Sequence, residues 1–312
     1  MKLFRTIAVY VLLIIGITVA INAAYMKRDT TWDFTDKYKS MPDHIQICNF
    51  GPSHGAASFE YTELEEAGYT CFNFAGGRQM PTYDVRILKA YIDCLEPGGH
   101  AFIVIAYPSF YGESELEWEE FSSYNNTYYR ILPNDLIQQY DPKVDFYVSY
   151  FPSLRAGFDL FRVLFGKGDE PPDPYAGADP QVVKDSVYKR YETYVKNIRG
   201  ILNRDWVDSI YEMIALLQEN DITPVMVSTP VMVDFSAFVH EQDPSFFDDW
   251  YGMIDRICAD TGIEYYDYSE HPDFMYDYSL FSDADHLNTA GAEKFSHLIA
   301  KEVLGIDTGT SR

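Results

Sequence analysis

The run Ala101–Ala106, AFIVIA, sets the tightest limit on how this chain can fold. A strand made of it has no polar face to turn toward water, so both of its faces must be covered. A parallel sheet with helices on both sides meets that demand, and the preceding residues supply the parts. Ile45–Cys48 and Tyr69–Phe74 are two further strand-like runs. A helix is expected around Ala57–Ala67, and another over Asp84–Leu95, where Val85, Leu88, Tyr91, Ile92 and Leu95 recur at helical spacing. Glu96-Pro97-Gly98-Gly99 is expected to stop the second helix, so this half reads as three parallel strands with crossover helices.

From Tyr107 the alternation lapses for about seventy residues, far beyond an ordinary connection. This aromatic-rich insertion, at about 107–180, closes in the Pro/Gly/Asp-rich stretch Gly166–Pro180. Within it Phe158, Phe161 and Phe165 share one helical face, which suits either the packing of a subdomain or a lid or acyl-docking surface near a membrane. Regularity then returns. Helices are expected over Gln181–Ile198, Arg204–Glu219, about Pro244–Thr261 and Ala290–Leu304, with strands at Pro224–Ser228 and Ile263–Asp267. The expected fold is a three-layer α/β/α sandwich around a five-stranded, mostly parallel sheet. It occupies 44–305, with a short tail over 306–312.

The N-terminus reads differently. Ile7–Ala24 carries no charge, and at ~1.5 Å per helical residue it is just long enough to cross a bilayer. A cleaved signal peptide is the alternative, but Ile21 spoils a small-x-small site ending at Ala23, which favours an uncleaved anchor over 1–26. A charged stalk, 27–43, follows. The expected location is a single-pass membrane protein with its soluble part outside the cytoplasm. With 48 acidic against 24 basic residues, the formal charge of −24 argues against nucleic-acid binding. Cys48, Cys71, Cys94 and Cys258 would permit disulfides in an oxidising compartment, but Cys48 and Cys71 in strand-like runs and Cys94 near a helix end read as small buried apolar groups, and without CxxC or Cys/His spacing no metal or other cofactor is expected.

Two short stretches carry chemistry. In the first, Asn49-Phe50-Gly51-Pro52 turns the chain sharply after a strand and delivers Ser53 at the start of a helix. Ser53 there is either a helix cap or a nucleophile. In the second, Asp283 precedes His286 by three residues in a loop leading into the last helix. A serine hydroxyl needs an imidazole to take its proton, and the imidazole needs a carboxylate to fix its tautomer. Asp283 can serve one ring nitrogen of His286 while the other faces Ser53. Competing readings are a metal loop from Asp283, Asp285 and His286, and a plain helix entry capped by Asn288 or Thr289. His54 is expected to begin its helix, with contact to substrate as the alternative. His44, His100, His240, His271 and His297 have no motif around them.

GPSH at Gly51–His54, FNFAGGRQ at Phe72–Gln79 and DADHLN at Asp283–Asn288 together resemble the ordered blocks of the SGNH/GDSL hydrolase superfamily. The anchor and the HLNxxG form at His286–Gly291 are similar to its membrane-tethered bacterial members, which include polysaccharide O-acetyltransferases and the D-alanyl transfer proteins of teichoic acid synthesis. The resemblance implies Ser53 as nucleophile, His286 as general base and acid, and Asp283 as its orienter. It implies an oxyanion hole from the backbone N–H of Ser53 with that of Gly76 or Gly77. Two departures stand out: Pro52 replaces the aspartate of the GDS form, and Tyr107-Pro108-Ser109-Phe110 stands where Gly-x-Asn-Asp would supply a side-chain donor. Asn73, Gln79 and Ser109 are the candidate substitutes and substrate contacts. The implied activity is that of an esterase or O-acyltransferase acting on an envelope polysaccharide or teichoic-acid-like polymer, with the membrane and a multi-spanning acyltransferase as partners. A non-catalytic glycan-binding or assembly subunit and a membrane-proximal lipase are the alternatives.

Overall fold

The computed structural model describes residues 2–28, 33–113, 127–154, 159–165 and 177–307. Phe158, the last residues of the tail, and 114–126 and 166–176 of the insertion lie outside the described residues. The chain divides into two compact units, one of residues 41–119 with 172–312 and the other of 1–40 with 120–171.

The larger unit is built on five strands, β1 (Ile45–Phe50), β2 (Cys71–Asn73), β3 (Leu95–Val104), β4 (Thr223–Ser228) and β5 (Glu264–Asp267). They lie in the order β2-β1-β3-β4-β5, every pair parallel, with helices on both sides. This is the doubly wound arrangement, in which the ends of the strands open a crevice where the order reverses. The central β3 carries the apolar run, and Ala101 and Phe102 are fully buried. The helices Pro81–Tyr91, Arg204–Glu219 and Phe246–Thr261 pack side by side in one layer. Thr289–Glu302 packs on Ser53–Ser58 and Thr62–Glu66.

The structure departs from the sequence expectations in four places. First, β3 begins at Leu95 and absorbs Glu96-Pro97-Gly98-Gly99, which was expected only to stop a helix. Between the pairs Ile45↔Leu95 and Ile47↔His100, β1 advances two residues and β3 five, so the excess bulges out. Gly98 sits at φ +84° there, and a Cβ on Gly99 would lie 2.6 Å from the Gln46 carbonyl oxygen. Second, the single helix expected around Ala57–Ala67 is two, Ser53–Ser58 and Thr62–Glu66. The Asn73 amide donates to the carbonyls of Gly55 and Phe59, each at 3.2 Å, and so satisfies carbonyls at the end of the first helix. Third, Val233–Gln242 forms a helix that no sequence signal announced. Fourth, the helix expected over Gln181–Ile198 is α-helical only over Pro180–Tyr191, capped by Asp179, and widens into a π-turn over Glu192–Lys196. Such turns are over-represented beside functional sites. The four cysteines are free thiols, Cys48 and Cys71 buried.

The smaller unit contains the helix Lys2–Arg28, whose stretch Phe4–Lys27 is long and apolar enough to cross a membrane. Its one buried polar side chain in that stretch is Asn22. The Asn22 amide donates to the Tyr150 carbonyl at 2.8 Å and accepts from the Ser153 hydroxyl at 2.7 Å and the Ser153 N–H at 3.2 Å. Those partners end the helix Pro142–Tyr150 and open the short turn Pro152–Leu154. Phe161 and Phe165, on the helix Asp159–Phe165, are 62% and 77% exposed, so the subdomain-packing role expected for them does not hold.

Candidate active site

Ser53 is placed by backbone geometry. At the carboxyl end of β1 the chain turns through Gly51, which adopts φ +134°, and a Cβ there would sit 2.9 Å from both the Cβ and the carbonyl oxygen of Val104. Only glycine tolerates both conditions. Pro52 then occupies the N-cap position of Ser53–Ser58 and makes no side-chain cap bond. The cap reading of Ser53 is thereby corrected: its hydroxyl is not spent on the helix.

That hydroxyl meets His286. Ser53 Oγ lies 2.8 Å from His286 Nε2, and His286 Nδ1 lies 3.0 and 3.1 Å from the two carboxylate oxygens of Asp283. Asp283 also ties its own loop, accepting from the N–H groups of Asp285 at 3.0 Å and His286 at 2.9 Å. Asn288 caps the following helix through Gly291 N–H, so the loop leads rigidly into Thr289–Glu302.

Around this row stand groups that sequence reasoning missed. Asp285, considered only as a metal ligand, is almost fully buried, with Oδ1 3.3 Å from His286 Nδ1. His54, expected to open a helix, is buried with Nε2 3.1 Å from Asp285 Oδ2, and its ring stacks on His286 with centroids 4.6 Å apart. Arg190, near the end of Pro180–Tyr191, bonds Asp283 through Nη2 and stands 3.2 Å from Asp285 Oδ1 through Nε. Its Nη1 donates to the Tyr194 hydroxyl at 3.0 Å. No local motif marks Arg190, because its partners at the site, Asp283 and His286, lie more than ninety residues away.

The electrostatics follow from the partners. Burial disfavours a charged His286, but the bonds from Asp283 and Asp285 outweigh it and push the imidazole up to about 9. Burial pushes His54 down, which leaves it neutral, with the Nε2 hydrogen donated to Asp285. Burial alone would raise Asp285, yet its bonds to His286 and His54 hold it well below the usual carboxylate range. Arg190 Nη2 is also 3.0 Å from His286 Nδ1. With the Nδ1 proton directed at Asp283, the tautomer a serine partner requires, both nitrogens are donors, and the approach is a charge contact rather than a hydrogen bond.

Behind the turn lies a second buried carboxylate, Asp84. Its Oδ1 accepts from Gly51 N–H at 2.9 Å and from the Gln79 amide at 2.6 Å. Burial pushes Asp84 up to about 7, against the pull of those two donors. It anchors the turn from a position 33 residues away.

The remaining expected residues divide. Gly76 N–H donates to the Gly51 carbonyl at 3.1 Å, so it is committed to the turn. The N–H groups of Ser53 and Gly77 make no hydrogen bond among the described residues. The side chains of Asn73, Gln79 and Ser109, the candidate substrate contacts, are engaged within the protein. The Asn73 amide clamps the first helix and its oxygen accepts from Ala75 N–H. Gln79 is fully buried on Phe74 and Asp84, and the Ser109 hydroxyl accepts from Ala106 N–H. A metal reading can be tested on the donors: ligating atoms of His54, Asp285 and His286 lie within 4.8 Å of one another. The set does not suit a cation, because the Arg190 guanidinium already stands against Asp285 and His54 donates to its other oxygen.

These features define a class by fold and site: a doubly wound parallel α/β protein with a serine, a histidine and two aspartates converging at the carboxyl end of its first strand. No protein-family model matches the chain, and no curated protein matches it. Among solved structures it is similar to a Bacteroides fragilis protein described as a "putative acylhydrolase", at 10% identity and a TM-score of 0.40, over 87% of this chain and 94% of that one.

Proposed function

We propose that the chain is a serine esterase or O-acyltransferase of the SGNH/GDSL type, held to a membrane by Lys2–Arg28 with its larger unit outside the cytoplasm. The observation that carries the reading is the continuous row Ser53 Oγ to His286 Nε2 at 2.8 Å and His286 Nδ1 to Asp283 at 3.0 Å. Ser53 Oγ attacks the acyl carbonyl carbon as its proton passes to Nε2, and Asp283 stabilises the imidazolium. The negative oxygen of the tetrahedral intermediate is taken by Ser53 N–H and Gly77 N–H. Collapse expels the alcohol, which leaves with the proton from Nε2, and the acyl group stays on Ser53. Water or a polymer hydroxyl then attacks this ester, giving up its proton to Nε2, and releases acid or acylated product. The fitting substrate is an acylated envelope polysaccharide or teichoic-acid-like polymer, with a multi-spanning acyltransferase as the donor's source.

The test is labelling of the purified full chain by a fluorophosphonate. Labelling lost in both Ser53→Ala and His286→Ala supports the reading, and no labelling of the folded wild type sinks it.

One observation favours a second reading, a non-catalytic glycan-binding subunit. Every side chain that could replace the missing oxyanion donor, Asn73, Gln79 or Ser109, is turned to structural bonds. Polymer binding unchanged by Ser53→Ala, without ester turnover, would favour it.

A further inference from the structure

The smaller unit exposes an unusual amount of aromatic surface. Phe146 is 49% and Tyr150 63% exposed on Pro142–Tyr150, Leu154 follows at 55%, and Phe161 and Phe165 project from Asp159–Phe165. Phe161 and Phe165 are four residues apart and share one face, their rings 6.4 Å apart. Water gains nothing from such a face, and isolated surface aromatics do not normally gather in this way.

What covers it can be argued from the helix beside it. Asp159–Phe165 and Pro152–Leu154 both pack against Lys2–Arg28. The Asn22 bonds to Tyr150 and Ser153 fix the level of contact. Asn22 stands about 7 Å along the axis from Lys27, where the apolar stretch ends, at ~1.5 Å rise per residue. For a helix crossing a bilayer that is the depth of the headgroup boundary, where aromatic side chains collect and where a polar side chain must find its partner inside the protein. Lys27 and Lys143, both exposed, add cations that suit anionic headgroups.

We infer that the face formed by Phe146, Tyr147, Tyr150, Leu154, Phe161 and Phe165 rests in the lipid interface, as a second, monotopic contact beside the spanning helix. The inference rests on the reading that Lys2–Arg28 crosses the membrane. The occupant is lipid, not a second copy of the chain or another membrane protein. Six side chains, five from two helices and Leu154 from the turn Pro152–Leu154, would thus hold the smaller unit at the bilayer surface, where a lone spanning helix would leave it on a flexible tether.

The test uses the full chain in nanodiscs of phosphatidylcholine and phosphatidylglycerol, with Cys94→Ser and Cys258→Ser. Single nitroxides are placed through Phe161→Cys, Phe165→Cys or Tyr147→Cys. Ile14→Cys reports the span, and Asp208→Cys, at an exposed position, reports water. Collisions with oxygen and with a water-soluble nickel chelate are measured. Lipid contact predicts that nickel collisions at 161 and 165 fall to about a fifth of those at 208 while oxygen collisions rise, since oxygen concentrates in the apolar layer and the chelate is excluded from it. Water-like nickel access at both positions, with 14 still shielded, overturns the inference while leaving the span intact. Protection from both reagents overturns it in favour of a protein neighbour. Nickel access at 14 itself defeats the spanning reading on which it rests.

Discussion

His54 and His286 stack with their ring centroids 4.6 Å apart, and both reach the buried carboxylate of Asp285. The histidine that faces Ser53 is therefore held by a ring beneath it and by two acids, not by Asp283 alone. His54→Phe keeps the ring and removes the hydrogen bond. It should lower stability by about 1–3 kcal/mol, the cost of leaving a buried acceptor short of a donor, and lower turnover without abolishing it. Thermal unfolding and ester hydrolysis by the same sample check both outcomes.

Ser53→Ala and His286→Ala should each reduce turnover of a small activated ester by roughly 10⁴-fold or more, and the double variant should be no worse than the poorer single one, because the two groups act as a unit. Additive losses in the double variant would mean that the 2.8 Å contact between them is not used.

The base must be neutral to accept the serine proton, and the two acids push His286 up to about 9. The pH profile of kcat/KM should accordingly rise through the neutral range and level off only above about 9. Stability should run the other way. A proton that the folded state holds up to about 9, and the unfolded chain only to its ordinary value of 6.5, adds stability that is complete below 6.5 and is lost as pH rises through 9. Denaturant titrations across pH 6 to 10 should show that loss, on the order of a few kcal/mol.

Arg190→Gln removes a positive charge beside the imidazole and beside both aspartates. The His286 limb of the pH profile should move further upward, since a cation that opposed imidazolium is gone. Stability should fall by up to about 3–5 kcal/mol, because Asp285 is left buried with less compensation. Arg190→Lys should restore part of the charge and little of the geometry. A stability loss with an unmoved pH profile would make Arg190 a structural residue only.

Asp84 gives a test of the turn itself. It is pushed up to about 7, so the folded chain keeps a proton that the unfolded chain sheds near 4. Between those values stability should fall as pH rises, and in Asp84→Asn this slope should vanish while the Gly51 and Gln79 bonds persist. Asp84→Ala should instead loosen the turn and lower turnover, with Ser53 still present.

Much of this was legible in the sequence where the signal is local. AFIVIA demanded cover on both faces and is buried, ending β3 and running two residues beyond it, and Gly51-Pro52-Ser53 and Asp283 to His286 each fit within one turn. Arg190, Asp84 and the His54–Asp285 pair were not, because the contacts that bring each to the site reach between 33 and more than 200 residues along the chain, and a lone charge in a helix carries no mark of where it will point. Asn73 and Gln79 are nearer their partners, yet no helical or strand spacing announces them. Their polarity suggested a substrate, but the fold spends them on carbonyls and a carboxylate that only the folded chain brings near.

Asn22 has a further consequence. Each residue turns a helix by about 100°, so an amide bound at once to Tyr150 and Ser153 can be satisfied at only one rotation of Lys2–Arg28 about its own axis. The apolar helix is thus keyed as well as anchored. One stripe of it is reserved for the protein, and the rest is turned outward at a fixed azimuth. Inserting a single residue between Ala24 and the end of the helix would leave residues 2–22 in register with the Asn22 bonds, whereas an insertion immediately before Asn22 would turn the whole apolar stretch that precedes it by roughly a quarter of a circle.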